Sequence, residues 1–203
     1  MSIHMYQYDI PQELAFTDSV AIDTETMGLD IKRDRLCLVQ LSGGNGDAHL
    51  VQFPTPKYDA PNLKHLLLDK AITKLFHFAR FDTAVLSERL NVVCEPIYCT
   101  KIASKLVRTY TDRHGLKELC RELLGVELSK VQQSSDWGAL TLTSDQQKYA
   151  AADVLHLHKL REKLDIMLER ENRSLLAERC FAALSTRVML DQKGWGSEDI
   201  FAH

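Results

Sequence analysis

The chain has 203 residues, of which 45% are hydrophobic and 26% are charged. This composition is typical of a globular protein and predicts one domain with a sizeable core. The formal net charge of -3 argues against a broad basic surface for long nucleic acid. We expect neither a signal peptide nor a membrane span, because no suitable apolar run occurs. The five scattered cysteines predict reduced thiols in a cytoplasmic protein and make a zinc site improbable.

The first part of the chain predicts strands. SVAIDTE, LCLVQLS and AHLVQF are short apolar segments with polar connections, so we expect an antiparallel meander. Further along, ITKLFHF and VVCEPIYC are predicted strands that alternate with helices. The predicted fold class is therefore α/β, a mixed sheet flanked by helices.

Helices dominate the sequence beyond Thr100. PNLKHLLLD and FDTAVLSERL are predicted helices before that point, and TDRHGLKEL leads into another that ends near Gly125. Thr143 and Gln146 form a predicted capping box at the start of the most helical stretch. A last helix is predicted from about 173 to 190, with its end near Gly194.

Three acidic segments carry the candidate chemistry. Asp23 and Glu25 are two apart on a predicted strand and project from the same face, where they repel unless a cation lies between them. Asp82 stands where a strand gives way to a helix, a place where an acid is also favoured by the helix dipole alone. Tyr149 and Asp153 are four apart on a helix and share a face. Taken singly, each segment is also compatible with solvated acids or a buried aromatic residue.

Taken together, the segments resemble the three motifs of DEDD exonucleases. VAIDTETMGL resembles the first motif, HFARFD the second and YAAADV the third motif of the DEDDy branch, and the stretch from Ser135 to Asp153 resembles ribonuclease D. The resemblance runs from about 20 to 160 and implies an RNase H-like fold. It also implies 3′→5′ exonuclease activity with two divalent metal ions, Mg²⁺ or Mn²⁺. The metal ligands it implies are Asp23, Glu25, Asp82 and Asp153, with Tyr149 as a catalytic residue beside the attacking water.

The oxygen-only ligand set favours these hard cations over zinc or copper. Two such ions about 4 Å apart stabilise the attacking and leaving oxygens of phosphodiester hydrolysis. A phenol that titrates near 10 is a poor base at neutral pH, so Tyr149 is predicted to orient water.

Fewer residues than in ribonuclease D follow the third motif, and the net charge is acidic. In these respects the chain resembles the nanoRNase C family, bacterial enzymes that degrade very short RNA, especially dinucleotides. That resemblance implies a homo-oligomeric ring such as an octamer. We expect one exonuclease domain over 1–203, with a core of about 18–170 and a helical tail of about 171–203.

Further residues are predicted to contact substrate. An apolar residue near Leu29 separates terminal bases in related short-RNA nucleases, although a core leucine is an equal alternative. His77 is a candidate, with a purely structural histidine favoured, and Arg113 and His114 precede a helix where they could hold a phosphate. One departure from the family is Phe78, where many relatives have asparagine. The other candidates implied by the motifs are Thr24, Met27, Gly28 and Phe81, and Lys130, Gln133 and Trp137 resemble ribonuclease D positions near the substrate channel.

Other functions remain as alternatives. The same site would serve a general 3′→5′ exonuclease that trims longer single-stranded RNA or DNA. A non-catalytic nucleic-acid-binding protein of the same fold is disfavoured because every ligand carboxylate is present. A zinc hydrolase is disfavoured because no HExxH or comparable cluster occurs.

Overall fold

The computed structural model describes residues 2–129 and 131–202. Its centre is a six-stranded sheet with the strand order β1-β4-β3-β2-β5-β6. Helices cover the sheet, which confirms the predicted mixed α/β architecture. The strands are β1 (Ile3–Gln7), β2 (Ser19–Thr26), β3 (Leu36–Ser42), β4 (Ala48–Gln52), β5 (Thr73–Phe76) and β6 (Ile97–Cys99).

The predicted meander is confirmed, because β2 pairs antiparallel with β3 and β3 antiparallel with β4. Strands β2, β5 and β6 run parallel, so their carboxyl ends share one edge of the sheet. The predicted strand VVCEPIYC is shorter than expected. Its β6 begins only after Pro96, which has no N–H to donate to a strand partner.

Strand β1 has no counterpart in the sequence prediction. It pairs in parallel with β4 at the edge of the sheet, and none of its residues is fully buried. An edge strand with an exposed face carries little apolar periodicity, which explains why the sequence did not indicate it.

The helices are longer in total than the strands and lie mostly in the second half of the chain. The predicted capping box is confirmed, because Thr143 Oγ1 accepts from the Gln146 backbone and Gln146 Oε1 accepts from the Thr143 backbone. The bounds are α1 (Pro61–Leu68), α2 (Ala79–Leu90), α3 (Thr100–Val107), α4 (Leu116–Leu119) with a π-helical continuation (Cys120–Leu124), α5 (Ser144–Leu155), α6 (Leu157–Arg170), α7 (Ser174–Ala182) and α8 (Leu184–Lys193).

The prediction of one last helix is wrong, because the helix is interrupted at Ala183 and forms α7 and α8. In α7 Phe181 packs on Tyr98, with ring centroids 4.7 Å apart, while α8 lies along α2. Arg80 of α2 donates to Asp191 of α8 at 2.6 and 2.8 Å. No glycine or proline marks the interruption in the sequence. The predicted end at Gly194 is confirmed, with this glycine in a left-handed conformation at φ 106°.

Helix α5 positions one half of the site. It crosses strands β2, β3 and β4, and buries Ala150 and Ala151 against the sheet. Small side chains at this contact allow the helix to approach the strands closely. Within the described residues, no helix combines the length and apolar character needed to cross a bilayer.

Candidate active site

Two carboxylates project from β2. Asp23 pairs across the sheet with Gln40, and Glu25 with Leu38, so the two acids share one face as their spacing predicts. Gln40 is fully buried and donates from Nε2 to Asp23 Oδ2 at 3.3 Å. The register between Glu25 and Thr26 is irregular, where β2 leaves the ladder. Asp23 and Glu25 therefore lie at the end of a central strand and are fixed by its register.

Asp82 enters from the first turn of α2. Thr24 lies between the two β2 acids and donates from Oγ1 to Asp82 Oδ1 at 2.7 Å, and both side chains are buried. This hydrogen bond joins the strand to the helix and fixes the third acid against β2.

Tyr149 and Asp153 come from α5 and face the strand acids. Carboxylate oxygens of Asp23, Glu25 and Asp153 all lie within 4.8 Å of one another. Asp82 lies outside this group of three but lines the same cavity. Three of the four predicted ligands thus form a compact oxygen cluster, with the fourth held beside it.

Burial and mutual repulsion raise the pKa values of the four acids. Burial raises the pKa of Asp23 to about 7. The pKa of Glu25 rises to about 10, first through burial and then through the charges of Asp23, Asp153 and Asp82. The pKa values of Asp82 and Asp153 are also raised by burial and by Asp23. Such a cluster is costly when ionised unless positive charge is supplied.

A divalent cation fits this donor set. Carboxylate oxygens are the ligands preferred by Mg²⁺ and Mn²⁺, and a cation would offset the repulsion that raises the four pKa values. The hydroxyl of Thr24 binds Oδ1 of Asp82, and a carboxylate has further lone pairs with which it would contact a cation.

Comparison with known proteins agrees with this geometry. Residues 8–169 match the 3′-5′ exonuclease family. The chain belongs to the 3′-5′ exonuclease family. It is 35% identical over 154 residues to ribonuclease D of Granulibacter bethesdensis, a match that covers 76% of this chain but only 38% of that curated relative.

Solved structures extend the similarity of this exonuclease to the whole chain. A structure of Brucella melitensis NrnC bound to pGG is 54% identical, with a TM-score of 0.96, and covers 100% of this chain and 99% of that chain. Another structure of the same protein, with bound Mg²⁺, is 53% identical with a TM-score of 0.95 and covers 100% of both chains. The predicted resemblances to DEDDy exonucleases and to nanoRNase C are confirmed. Family membership and the acidic cluster identify divalent metal as the cofactor of the exonuclease.

Tyr149 lines the same cavity as the four acids. Burial and the charges of Asp153, Glu25 and Asp23 raise the pKa of its phenol, so the hydroxyl stays protonated at neutral pH. The centroid of its ring lies 6.0 Å from the ring centroid of Trp137, which is buried. This contact orients the phenol, and Trp137 itself does not line the cavity.

The exonuclease cavity has a volume of about 310 Å³ and contains several predicted substrate contacts. His77 lies in its wall and hydrogen-bonds through Nδ1 to Thr100 Oγ1 at 2.9 Å. Burial lowers the pKa of His77 to about 3, so the ring is neutral. The residues that line the cavity are Asp23, Thr24, Glu25, His77, Phe78, Phe81, Asp82, Lys101, Gly115, Leu116, Lys117, Leu128, Ser129, Gln133, Tyr149 and Asp153.

Other predicted contacts of the exonuclease lie outside this wall. Met27 and Gly28 follow β2, and the Met27 sulfur accepts from Arg35 Nε at 3.2 Å. Leu29 is 83% exposed, so the alternative of a core leucine is wrong. Arg113 and His114 do not line the cavity either, although Gly115 beside them does. The His114 ring hydrogen-bonds to Ser104 Oγ at 2.8 Å, and its role in phosphate binding stays a prediction.

Sequence reasoning missed several residues of the exonuclease wall. Lys101 follows β6, whose parallel pairing with β5 brings it to the edge that carries His77. That shared edge was the available signal. Gln40 had no signal in the sequence, because its contact with Asp23 depends on the strand register. Gln133 lines the cavity as its resemblance predicted, whereas Lys130 lies outside the described residues.

Proposed function

We propose that this chain is a 3′→5′ exoribonuclease that hydrolyses very short RNA, especially dinucleotides, to 5′-mononucleotides. The observation that carries the proposal is the cluster of Asp23, Glu25 and Asp153 oxygens within 4.8 Å, with Tyr149 in the same cavity. A hydrolysis site for a phosphodiester needs both a place for cations and a positioned water, and this cavity offers groups for each.

The four acids have the role of metal ligands in this proposal. Asp23, Glu25 and Asp153 hold two divalent ions, Mg²⁺ or Mn²⁺, and Asp82 completes the set from α2. When bound, these ions supply positive charge at the phosphate and increase the acidity of coordinated water. Tyr149 keeps its hydroxyl proton and orients the attacking water by a hydrogen bond.

The substrate contacts come from the cavity wall and its surroundings. Phe81 supplies an apolar surface for the terminal nucleotide, His77 a neutral ring, and Thr24 keeps Asp82 in place. The exposed side chain of Leu29 is available to wedge between two bases. We further assign substrate contacts to Met27, Gly28, Arg113 and His114, which requires the substrate to extend beyond the cavity.

The size and charge of the cavity support a short substrate. A volume of about 310 Å³ lies at the lower limit of ligand pockets, roughly 300–1,000 Å³. Among the lining residues that the structure describes, positive charge comes from Lys101 and Lys117 alone. Long RNA is bound through many phosphate contacts, which need many cationic side chains. This wall and the net charge of -3 do not favour such binding. The similar NrnC of Brucella melitensis has been solved with bound pGG, which supports a dinucleotide substrate.

The organisation of the protein is a further part of the proposal. We propose one exonuclease domain over 1–203, with α8 of the helical tail attached to α2 through Arg80 and Asp191. From the resemblance to nanoRNase C we also propose a homo-oligomeric ring such as an octamer. The five cysteines are free thiols, which supports a cytoplasmic location.

The test is hydrolysis of 5′-labelled RNAs of two to twenty nucleotides in Mg²⁺, Mn²⁺ or chelator. We expect rapid metal-dependent cleavage of the dinucleotide and slow attack on longer chains. DNA of matched length tests the choice between RNA and DNA.

Similarity to ribonuclease D favours one second candidate, a general exonuclease that trims longer strands. Steady shortening of RNAs of every length would support that function and contradict the short-substrate proposal. Loss of all hydrolysis in purified, metal-loaded protein would contradict both.

A further inference from the structure

Phe78 has an unusual backbone conformation at the wall of the active site. It follows His77 and caps the N-terminus of α2 with φ 70° and ψ 45°, in the left-handed region. A bulky aromatic residue rarely adopts this conformation, whereas asparagine does so more readily. Strained residues persist where the surrounding structure or a function requires them.

Neither core packing nor helix capping requires an aromatic side chain at position 78. Phe78 is 46% exposed and lines the cavity that holds the four acids. The capping contact uses only its carbonyl oxygen, which accepts from the Phe81 backbone at 3.1 Å. An asparagine would supply the same carbonyl with less strain, so the ring itself needs an explanation.

Lys101 holds the ring from one side. It lies in the first turn of α3, and its Nζ is 4.0 Å from the centroid of the Phe78 ring. A cation over the face of an aromatic ring is attracted by the electron density of the ring. At this distance the ammonium occupies part of one face, and because Phe78 is 46% exposed, ring surface is left for a ligand.

We propose that Phe78 stacks a nucleobase of the substrate and that Lys101 positions its ring. The proposal rests on the proposed function, because it names a contact for the RNA cleaved at the adjacent acids. Every base has a flat π-face, so stacking tolerates any base sequence and suits an enzyme that clears mixed short RNAs. It also supplies affinity that a cavity with few cations does not obtain from phosphates.

The test removes the ring and the base separately. We would measure kcat and KM of wild type, Phe78→Leu and Phe78→Tyr on an RNA dinucleotide and on the same compound with either base removed. Loss of one stacking contact lowers kcat/KM by roughly 5- to 140-fold, mainly through KM. We expect that loss for Phe78→Leu on the intact dinucleotide, near-normal values for Phe78→Tyr, and little further loss for Phe78→Leu when the stacked base is absent.

A general structural defect would give a different pattern. It would lower activity on all three substrates by the same factor, whereas a lost stacking contact affects only those that carry the base. Phe78→Asn serves as a second variant, since it removes the ring and tolerates the left-handed backbone. The proposal is overturned if Phe78→Leu or Phe78→Asn retains the wild-type kcat/KM. It is also overturned if removal of the base lowers kcat/KM of either variant by the same factor as in wild type.

The positioning role of Lys101 has its own controls. Lys101→Met should raise KM several-fold, and Lys101→Arg should restore it, because a guanidinium also lies over aromatic rings. In the Phe78→Leu background, Lys101→Met should not raise KM further. If it raises KM as much as it does in wild type, Lys101 does not act through the ring. Lys105→Met, on the same helix but exposed and outside the cavity, is the matched control.

Failure of the proposed function is visible separately in wild type, as a lack of preference for the dinucleotide. The stacking contact is tested on any RNA that the enzyme cleaves. The test is whether kcat/KM depends on the Phe78 ring only when the stacked base is present.

Discussion

Replacement of Asp23 by asparagine should stabilise the metal-free protein while it removes activity. The pKa of Asp23 rises from 3.8 to about 7 because burial disfavours the charged carboxylate. The folded protein therefore favours the protonated acid. Protonated Asp23 therefore contributes to the free energy of unfolding. This contribution is complete below pH 3.8 and is lost as the pH rises through about 7.

The size of the effect follows from the same shift. A pKa raised from 3.8 to about 7 corresponds to about 4 kcal/mol at pH 8. Asp23 is partly exposed, so solvent screens its charge and we expect about 2 to 4 kcal/mol for Asp23→Asn. The amide oxygen of asparagine can still accept from Gln40 Nε2, so no hydrogen bond is lost.

Urea denaturation in chelator at pH 5 and pH 8 is the assay. Asp23→Asn should be more stable than wild type at pH 8, and the difference should shrink at pH 5. Added Mg²⁺ should stabilise wild type and not the variant. Asp59→Asn, an exposed acid outside the cavity, should shift stability by no more than about 0.5 kcal/mol. Equal stability of Asp23→Asn and wild type at pH 8 would refute the reasoning.

Other substitutions test the remaining roles. Asp153→Asn should abolish Mg²⁺-dependent hydrolysis while circular dichroism shows an intact fold, and normal activity would contradict its assignment as a ligand. Tyr149→Phe should lower kcat by roughly 10² to 10⁴ with little change in KM, a split that steady-state kinetics on a dinucleotide measures. Thr143→Ala removes the capping-box acceptor of α5 and should cost about 1 kcal/mol in urea denaturation, without an equal loss of kcat.

The parts of the site that the sequence predicts are those that follow from local periodicity. Asp23 and Glu25 share a face because strands repeat every second residue, and Tyr149 and Asp153 because helices bring positions four apart together. The capping box at Thr143 is equally local. Each of these needs only the type of element and the spacing within it.

The parts that the sequence does not predict depend on contacts between distant segments. Gln40 reaches Asp23 only through the register of β2 and β3. Lys101 reaches the ring of Phe78 only because β5 and β6 are parallel neighbours. The two helices on either side of Ala183 pack on different partners, α7 on α3 and β6 and α8 on α2. Sequence spacing contains none of these relations, although the shared edge of parallel strands gives a partial signal.

The charge of the site connects its chemistry with the length of its substrate. Four acids with raised pKa values require cations, and those cations attract the phosphate that is cleaved. In the described part of the wall, positive charge otherwise comes from Lys101 and Lys117 alone, and Lys101 lies over Phe78. Affinity must then come from the metal-bound phosphate and from the bases next to it. A substrate of two nucleotides already supplies both, so further nucleotides add little binding energy.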